Sequence, residues 1–415
     1  MTRNLKKIIK FLVRIVDRLL AFVWAFLAPR SARTRTLIIP PTGSTGGLGD
    51  QSLLEGCIHL LDGQCDVLFV GYVSIVDEKL LPTCKTLRLN SKFFPFLEFV
   101  RIASRYKQLA VVGADVMFGQ YSPENVLKML QLLRFAERLG LDTRIVSFSW
   151  LTCENTAIIQ AFKKLKCTHF FLRDSMSREA FQSTFSAKRT HLVSDVAFCM
   201  PERKSEAIDG KFSVWLGAAK ADGHIILGIN LNGALERCFE QQQIEALLNS
   251  VIDVLGSENI SVVFIPHDYR KGISDQDLSQ RVANNMAQTV NRYLFERRLS
   301  AYDVRNVLRQ VDIAISTRFH FTVSCLCSAT PSLFIGQSKD SRYDAKVQGL
   351  VRDCNLKLKS WSMDEAVAAP SAIAEEVFRL KNFQAQMASE ISSALADTVA
   401  RAKQNFSPSG RKISD

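Results

Sequence analysis

Residues 311–350 read VDIAISTRFHFTVSCLCSATPSLFIGQSKDSRYDAKVQGL, and this stretch decides the fold. The run 312–316 has the length and mostly apolar character of a buried strand. Residues 319–328 form a helix rich in small side chains, and 332–335 form the next strand. Strand, helix and strand make a βαβ unit, and so a parallel sheet. In open parallel sheets ligands bind beyond the carboxyl ends of the strands, where a helix N-terminus adds unpaired N–H groups and partial positive charge. Arg318, Phe319 and His320 occupy that position, and Lys346 in 343–349 (YDAKVQG) is available as a third positive charge. The expected ligand is a small, multiply charged anion.

Working outward, the same alternation fills the chain. Upstream come a strand at 225–230, a helix at 241–255 and a strand at 262–265 that ends in Pro266-His267-Asp268, so His267 also lies at a strand's carboxyl end. Ser300 and Asp303 have capping-box spacing and open the helix leading into 311. The first half begins with strand 37–39, loop 40–49 (PPTGSTGGLG) and helix 50–61. Gly43, Gly46, Gly47 and Gly49 let the backbone approach a ligand closely, and Asp50 is placed to cap the helix. The loop is neither GxGxxG nor a Walker loop, so it carries no nucleotide fingerprint. Strands at 67–70, 109–112, 144–148 and 168–172 alternate with helices around 126–139, 155–165 and 175–183. Arg173, Asp174 and Arg178 follow the last of these strands. Residues 201–210 read as a linker and 371–402 as one long Ala-rich helix. The expected fold class is α/β, with two Rossmann-like domains facing a cleft in a GT-B-like arrangement. These domains span 35–205 and 211–360, between an N-terminal amphipathic segment (1–34) and a C-terminal helix and tail (361–415).

Composition limits the function. A chain of 415 residues with 47% hydrophobic and 23% charged residues is a globular protein of more than one domain. Its net charge of +12 is concentrated at the start: nine basic residues against Asp17 give +8 before residue 36. The remaining body is only mildly basic, with no zinc-finger spacing and no Lys/Arg run interleaved with aromatics, which argues against nucleic acid as a partner. Ten cysteines are scattered without a CxxC pair or a Cys/His cluster of metal-ligand spacing. They read as buried free thiols in a reducing cytoplasm, and no metal is expected.

Between residues 6 and 28, Ile8, Phe11, Leu12, Ile15, Leu19, Phe22, Val23 and Phe26 recur at helical spacing, while Lys7, Lys10, Arg14, Asp17 and Arg18 fill the opposite face. The uninterrupted apolar run is about half the ~20 residues that span a bilayer. A basic amphipathic helix of this kind lies in the plane of an anionic membrane surface. The expected location is therefore cytoplasmic and peripheral on a membrane surface. The alternatives are a helix packed on the protein's own body, or a signal segment, which Pro29-Arg30 and the missing cleavage site disfavour.

Several segments together resemble the polysaccharide pyruvyl transferase family, over roughly residues 37–356. They are 46–55 (GGLGDQSLLE), 171–175 (FLRDS), 194–198 (SDVAF), 265–268 (IPHD), 317–320 (TRFH, where the family usually has Arg-Leu-His) and 343–349. The chain departs from the pattern at Gly113-Ala114-Asp115, where members usually carry three glycines, and at Gly47, where they carry Asn. The resemblance implies a GT-B-like fold and a transferase that moves a pyruvyl unit from phosphoenolpyruvate to sugar hydroxyls, leaving a pyruvate ketal and phosphate. The acceptor would be a sugar or lipid-linked oligosaccharide of a cell-surface polysaccharide, and no cofactor beyond the donor is implied. A carboxylate and a phosphate need fixed cations, through charge-assisted hydrogen bonds of about 1.5–3 kcal/mol each. Arg318, His320, Arg173 and Lys346 are the candidates. His320 or His267 is the expected acid, with Asp50 or Asp115 near the acceptor and Gly46, Gly47, Gly49 and Gly113 lining the site. Two other readings are a GT-B nucleotide-sugar glycosyltransferase and a non-catalytic, membrane-bound glycan-binding or scaffold protein.

Overall fold

The computed structural model describes residues 3–27, 33–42, 46–70, 84–186, 188–204, 210–256, 259–336, 341–356 and 358–407. Gly43, residues 205–209 of the expected 201–210 linker and the end of the C-terminal tail lie outside them, as do the side chains of 3–7 and 341–344. The chain divides into two compact units. The first comprises Met1–Thr45, Leu53–Cys199 and Arg401–Asp415; the second comprises Gly46–Ser52 and Met200–Ala400.

Unit 1 is built on a sheet of β1 (Thr36–Ile39), β2 (Cys65–Phe69), β3 (Lys85–Arg88), β4 (Gln108–Ala114), β5 (Asp142–Phe148), β6 (His169–Leu172) and β7 (Arg189–Leu192). The order is β3-β2-β1-β4-β5-β6-β7. Unit 2 holds β8 (Ile225–Asn230), β9 (Ile260–Phe264), β10 (Asn291–Leu294), β11 (Ile313–Ser316), β12 (Ser332–Gly336) and β13 (Ser360–Ser362). Their order is β10-β9-β8-β11-β12-β13. Neighbouring strands pair in parallel in both sheets. Each order is that of a Rossmann fold, with the switch point where β1 meets β4 and where β8 meets β11. The inner strands β1, β2, β9, β11 and β12 are buried along their whole length, which is why they read as continuous apolar runs. The strands that sequence reading does not recover, β3, β7, β10 and β13, lie at sheet edges and are only partly buried.

The core of unit 1 behind β5 and β6 is aromatic: Phe181 packs against Phe170, Phe148 and Trp150 with ring centroids 5.0, 5.7 and 5.3 Å apart. Helix caps are where the sequence puts them. Ser300 accepts from the Asp303 N–H, and the Asp303 carboxylate accepts in return from the Ser300 N–H at 2.8 Å. The C-terminal stretch is two helices, Pro370–Asn382 and Gln384–Lys403, broken at Phe383, instead of the single helix expected. Asn405 beyond them is fully buried in unit 1, accepting from the Ser147 N–H at 2.9 Å and donating to the Ser194 carbonyl at 3.0 Å. The ten cysteines are free, but the expectation that they are all buried fails for Cys167 and Cys238, which are exposed, and for Cys84, Cys153 and Cys327, which are half-buried.

The N-terminal helix, Arg3–Leu27, rests on unit 1 by a narrow stripe. Asp17, Ala21 and Ala25 are buried there, and Asp17 accepts from the N–H groups of Phe96 and Leu97 at 3.1 and 2.9 Å. Asp17 thereby satisfies donors in the first turn of Pro95–Ala103, whose own N-cap, Phe94, supplies no side-chain acceptor. Among the described residues, no helix is long and apolar enough to cross a membrane.

The pair His169 and His191 on β6 and β7 gives unit 1 an acid dependence. His169 Nδ1 lies 3.0 Å from His191 Nε2, and the His191 ring stacks on Phe171 at 4.6 Å. Burial, the neighbouring His169 and Arg144 hold His191 down to about 4. Burial also lowers His169. Below an ordinary value of 6.5 the unfolded chain binds protons that the folded chain refuses. Stability is therefore full above about pH 6.5 and falls as the pH drops towards 4. Thermal midpoints across that window should decline, and His191→Phe, which keeps the stacking, should flatten the decline by up to one proton. An unchanged slope would contradict the assignment.

Candidate functional site

Three of the quoted segments meet in unit 2. Residues 46–50 lie antiparallel to the segment after β9. Tyr269 N–H donates to the Gly46 carbonyl at 2.9 Å, Leu48 N–H donates to the His267 carbonyl at 3.0 Å, and Gly47 bridges Asp268. The helix Leu48–Leu60 thus starts on the IPHD segment. Gly49 then faces His320 so closely that a Cβ would lie 2.4 Å from the imidazole Nδ1 and 2.8 Å from the His320 Cβ. Only glycine allows this approach. Gly47 is less constrained, since a Cβ there would meet Arg270 Nη2 at 3.3 Å.

Around this contact the charges alternate. Arg318 is the N-cap of helix Phe319–Cys327 in extended conformation, with its own side chain making no cap hydrogen bond. Its guanidinium grips Asp275, with Nε at 2.9 and 2.8 Å from the two carboxylate oxygens and Nη2 at 2.6 Å. Nη1 lies 3.3 Å from Asp268. Asp268 also holds Arg270, through Nε at 2.9 Å and through Nη2, and Arg270 Nη1 is 4.0 Å from Asp50. Asp275 is fully buried and accepts three more hydrogen bonds, from the Gly233 N–H, the His267 N–H and Asn230 Nδ2 at 2.9–3.0 Å. Burial pushes its carboxyl up, against the pull of Arg318 and these donors.

The two histidines differ. His267 is buried, with its ring edge-on to Phe321 at 5.8 Å. Its Nε2 has no hydrogen-bond partner among the described residues. Burial, reinforced by His320, Arg318 and Arg305, holds it well below the usual range, so it is a neutral imidazole. His320 is half-buried, its ring perpendicular to that of Phe319.

Two more of the quoted segments, 171–175 and 194–198, meet in unit 1. Arg173 donates to Asp195 at 2.7 Å and to Ser149 Oγ at 2.8 Å, joining FLRDS to SDVAF in a buried ion pair. Asp174 caps the next helix by accepting from the Ser177 N–H at 2.7 Å. Gly113 lies in β4, where a Cβ would come 2.2 Å from the Phe148 Cβ, so this glycine is required by strand packing. Ala114 has φ +45°, a conformation that glycine adopts freely and that the three-glycine pattern would supply. Asp115 accepts from the Tyr121 hydroxyl at 3.1 Å. Thus Asp50, His267, Arg318, Phe319, His320, Gly46, Gly47 and Gly49 share one neighbourhood in unit 2, whereas Arg173, Gly113 and Asp115 belong to unit 1. Lys346 is buried on helix Ser341–Asp353 of unit 2. Sequence reading misses Asp275 and Arg270. The signal for Asp275 is faint: it follows the N-cap Ser274, where an acid reads only as a favourable first-turn charge.

A protein-family model described as polysaccharide pyruvyl transferase matches residues 48–339. No curated protein matches the chain by sequence. Among solved structures, Alr3699/HepE from Anabaena, in complex with UDP and glucose, aligns with a TM-score of 0.56 at 12% identity, over 89% of this chain and 95% of that one. A proposed UDP-N-acetylglucosamine 2-epimerase from Listeria monocytogenes aligns with a TM-score of 0.57 at 11% identity, over 92% and 98%. An E. coli trehalose-6-phosphate structure bound with UDP-2-fluoro glucose aligns at 0.53 and 12%, over 90% and 98%. At these identities the likeness is one of fold, and that fold is GT-B-like.

Proposed function

Because the chain belongs to the polysaccharide pyruvyl transferase family, we propose that it transfers a pyruvyl unit from phosphoenolpyruvate to two hydroxyls of a sugar, and that unit 2 holds the donor. The observation that carries this reading is the closure of Gly49 on His320, which joins the GGLGD, IPHD and TRFH segments in one site.

In the reaction the donor's methylene carbon gains a proton and becomes a methyl group. One sugar hydroxyl adds to the adjacent carbon, phosphate departs with its bridging oxygen, and the second hydroxyl closes the ketal. Two hydroxyl protons are released and one is consumed at carbon. We assign the carbon proton to His320, because His267 is buried and held uncharged. Asp50, which follows Gly49 at the start of the adjoining helix, is assigned to an acceptor hydroxyl. The donor's anionic groups lie at the N-terminus of Phe319–Cys327, whose first N–H groups add to the Arg318 and Arg270 charges. Arg318 is not a solitary cation, since Asp275 already meets much of its charge. Its contribution is therefore a positioned donor geometry more than net attraction. No cofactor beyond the donor enters this scheme. The acceptor is a sugar or lipid-linked oligosaccharide of a cell-surface polysaccharide, met by a cytoplasmic protein peripheral on the inner face of the membrane.

The test is direct binding of phosphoenolpyruvate to the purified protein beside UDP and GDP. Binding of phosphoenolpyruvate alone supports the reading, and nucleotide binding alone replaces it with a nucleotide-sugar glycosyltransferase.

A further inference from the structure

We propose that unit 1 carries a composite, rigidly mounted docking face for an anionic lipid bilayer, formed by the outward side of helix Arg3–Leu27 together with the Phe93-Phe94 loop. This deepens the peripheral placement above and does not depend on the chemistry of unit 2.

Three observations carry it. First, the helix spends its small-residue stripe on unit 1 and turns its wide apolar side out: Phe11, Leu19 and Phe26 are 64%, 59% and 68% exposed, and Ile8, Leu12 and Val23 are also exposed. A helix apolar on this scale would ordinarily bury that side. Second, Asp17 accepts from the N–H groups of Phe96 and Leu97, which fixes the start of helix Pro95–Ala103 against the N-terminal helix. The residues just before that start, Phe93 and Phe94, are exposed as well, Phe93 by 65%. Two elements distant in sequence, held together by Asp17, thus both leave large apolar side chains exposed. Third, the polar groups around this face are cationic. Lys10, Arg14, Arg18 and Lys92 are exposed, and Arg101 and Arg138 lie over the Trp24 and Phe22 rings of the helix at 5.1 and 4.8 Å. The nearby carboxylates are turned inward: Asp17 is buried, Glu98 accepts from the Asn90 and Ser91 N–H groups, and Glu137 accepts from the N–H groups of residues 166–168. An apolar face rimmed by cations is complementary to acyl chains beneath acidic headgroups. The Asp17 clamp makes the helix part of the folded body, so docking fixes the orientation of unit 1 on the bilayer.

The experiment is sedimentation of the full chain with vesicles of equal parts phosphatidylcholine and phosphatidylglycerol, compared with phosphatidylcholine alone. Two double variants are tested, Leu12→Gln/Leu19→Gln on the helix and Phe93→Ser/Phe94→Ser on the loop. Each alters exposed side chains and should leave the unfolding midpoint unchanged. The expected result is preferential binding to the anionic vesicles, weakened about tenfold or more by either variant. Loss in the helix variant with full binding in the loop variant would overturn the composite face and leave a single-helix anchor. Absence of binding by the parent chain, or self-association through this face without vesicle binding, would overturn both.

Discussion

Alanine at position 49 should lower transfer from phosphoenolpyruvate by two orders of magnitude or more. The added Cβ would sit 2.4 Å from His320 Nδ1 and 2.7 Å from its Cγ, so the imidazole must leave its position. A displacement of about 1 Å from reacting atoms costs on the order of 100-fold in rate. The same overlap should also cost roughly 1–3 kcal/mol of stability, as overpacking generally does. These effects can be separated. His320→Gly in the Gly49→Ala background removes the overlap, the 2.8 Å approach to the His320 Cβ included, so the double variant should recover much of the unfolding midpoint without recovering activity. If Gly49→Ala retained parental activity, His320 would not be the proton donor in the position described.

Loss of the Asp275 carboxylate should be the most damaging single change to stability in unit 2. Asp275→Ala strands the Arg318 guanidinium and leaves the Gly233 N–H, the His267 N–H and the Asn230 amide without their acceptor. Breaking a buried ion pair by removing one partner costs about 3–5 kcal/mol, a thermal shift on the order of 10 °C for a domain of this size. Arg318→Ala should be nearly as harmful for the mirror-image reason. Replacing both, as in Asp275→Leu/Arg318→Met, should be milder than either single change. A cost below about 1 kcal/mol for Asp275→Ala would show that the pair is not buried as described.

The same pair shows what sequence can and cannot convey. That Arg318 stands at a helix N-terminus beyond a parallel strand follows from the alternation of apolar runs in 311–350, because a strand buried on both faces is apolar throughout. Its partner, 43 residues away, does not follow, because an aspartate behind a capping serine has the same local pattern whether it faces solvent or an arginine. The edge strands β3, β7, β10 and β13 escape notice for a related reason: half-exposed strands of three or four residues have no continuous apolar run. Gly49 was legible as a close-approach glycine, but what approaches it was not. For the N-terminal helix, period and charge marked the apolar face. The docking stripe of Asp17, Ala21 and Ala25 carries too little hydrophobicity to stand out, yet it is this stripe that packs the helix on unit 1 while the apolar side stays exposed. At Ala114, within the departure from three glycines, a non-glycine residue holds φ +45°.

Whether unit 2 binds phosphoenolpyruvate is read most directly by calorimetric titration of the intact protein with phosphoenolpyruvate, UDP and GDP. Saturable binding of phosphoenolpyruvate and none of either nucleotide is the expected result; saturable binding of a nucleotide with no response to phosphoenolpyruvate would contradict a phosphoenolpyruvate site.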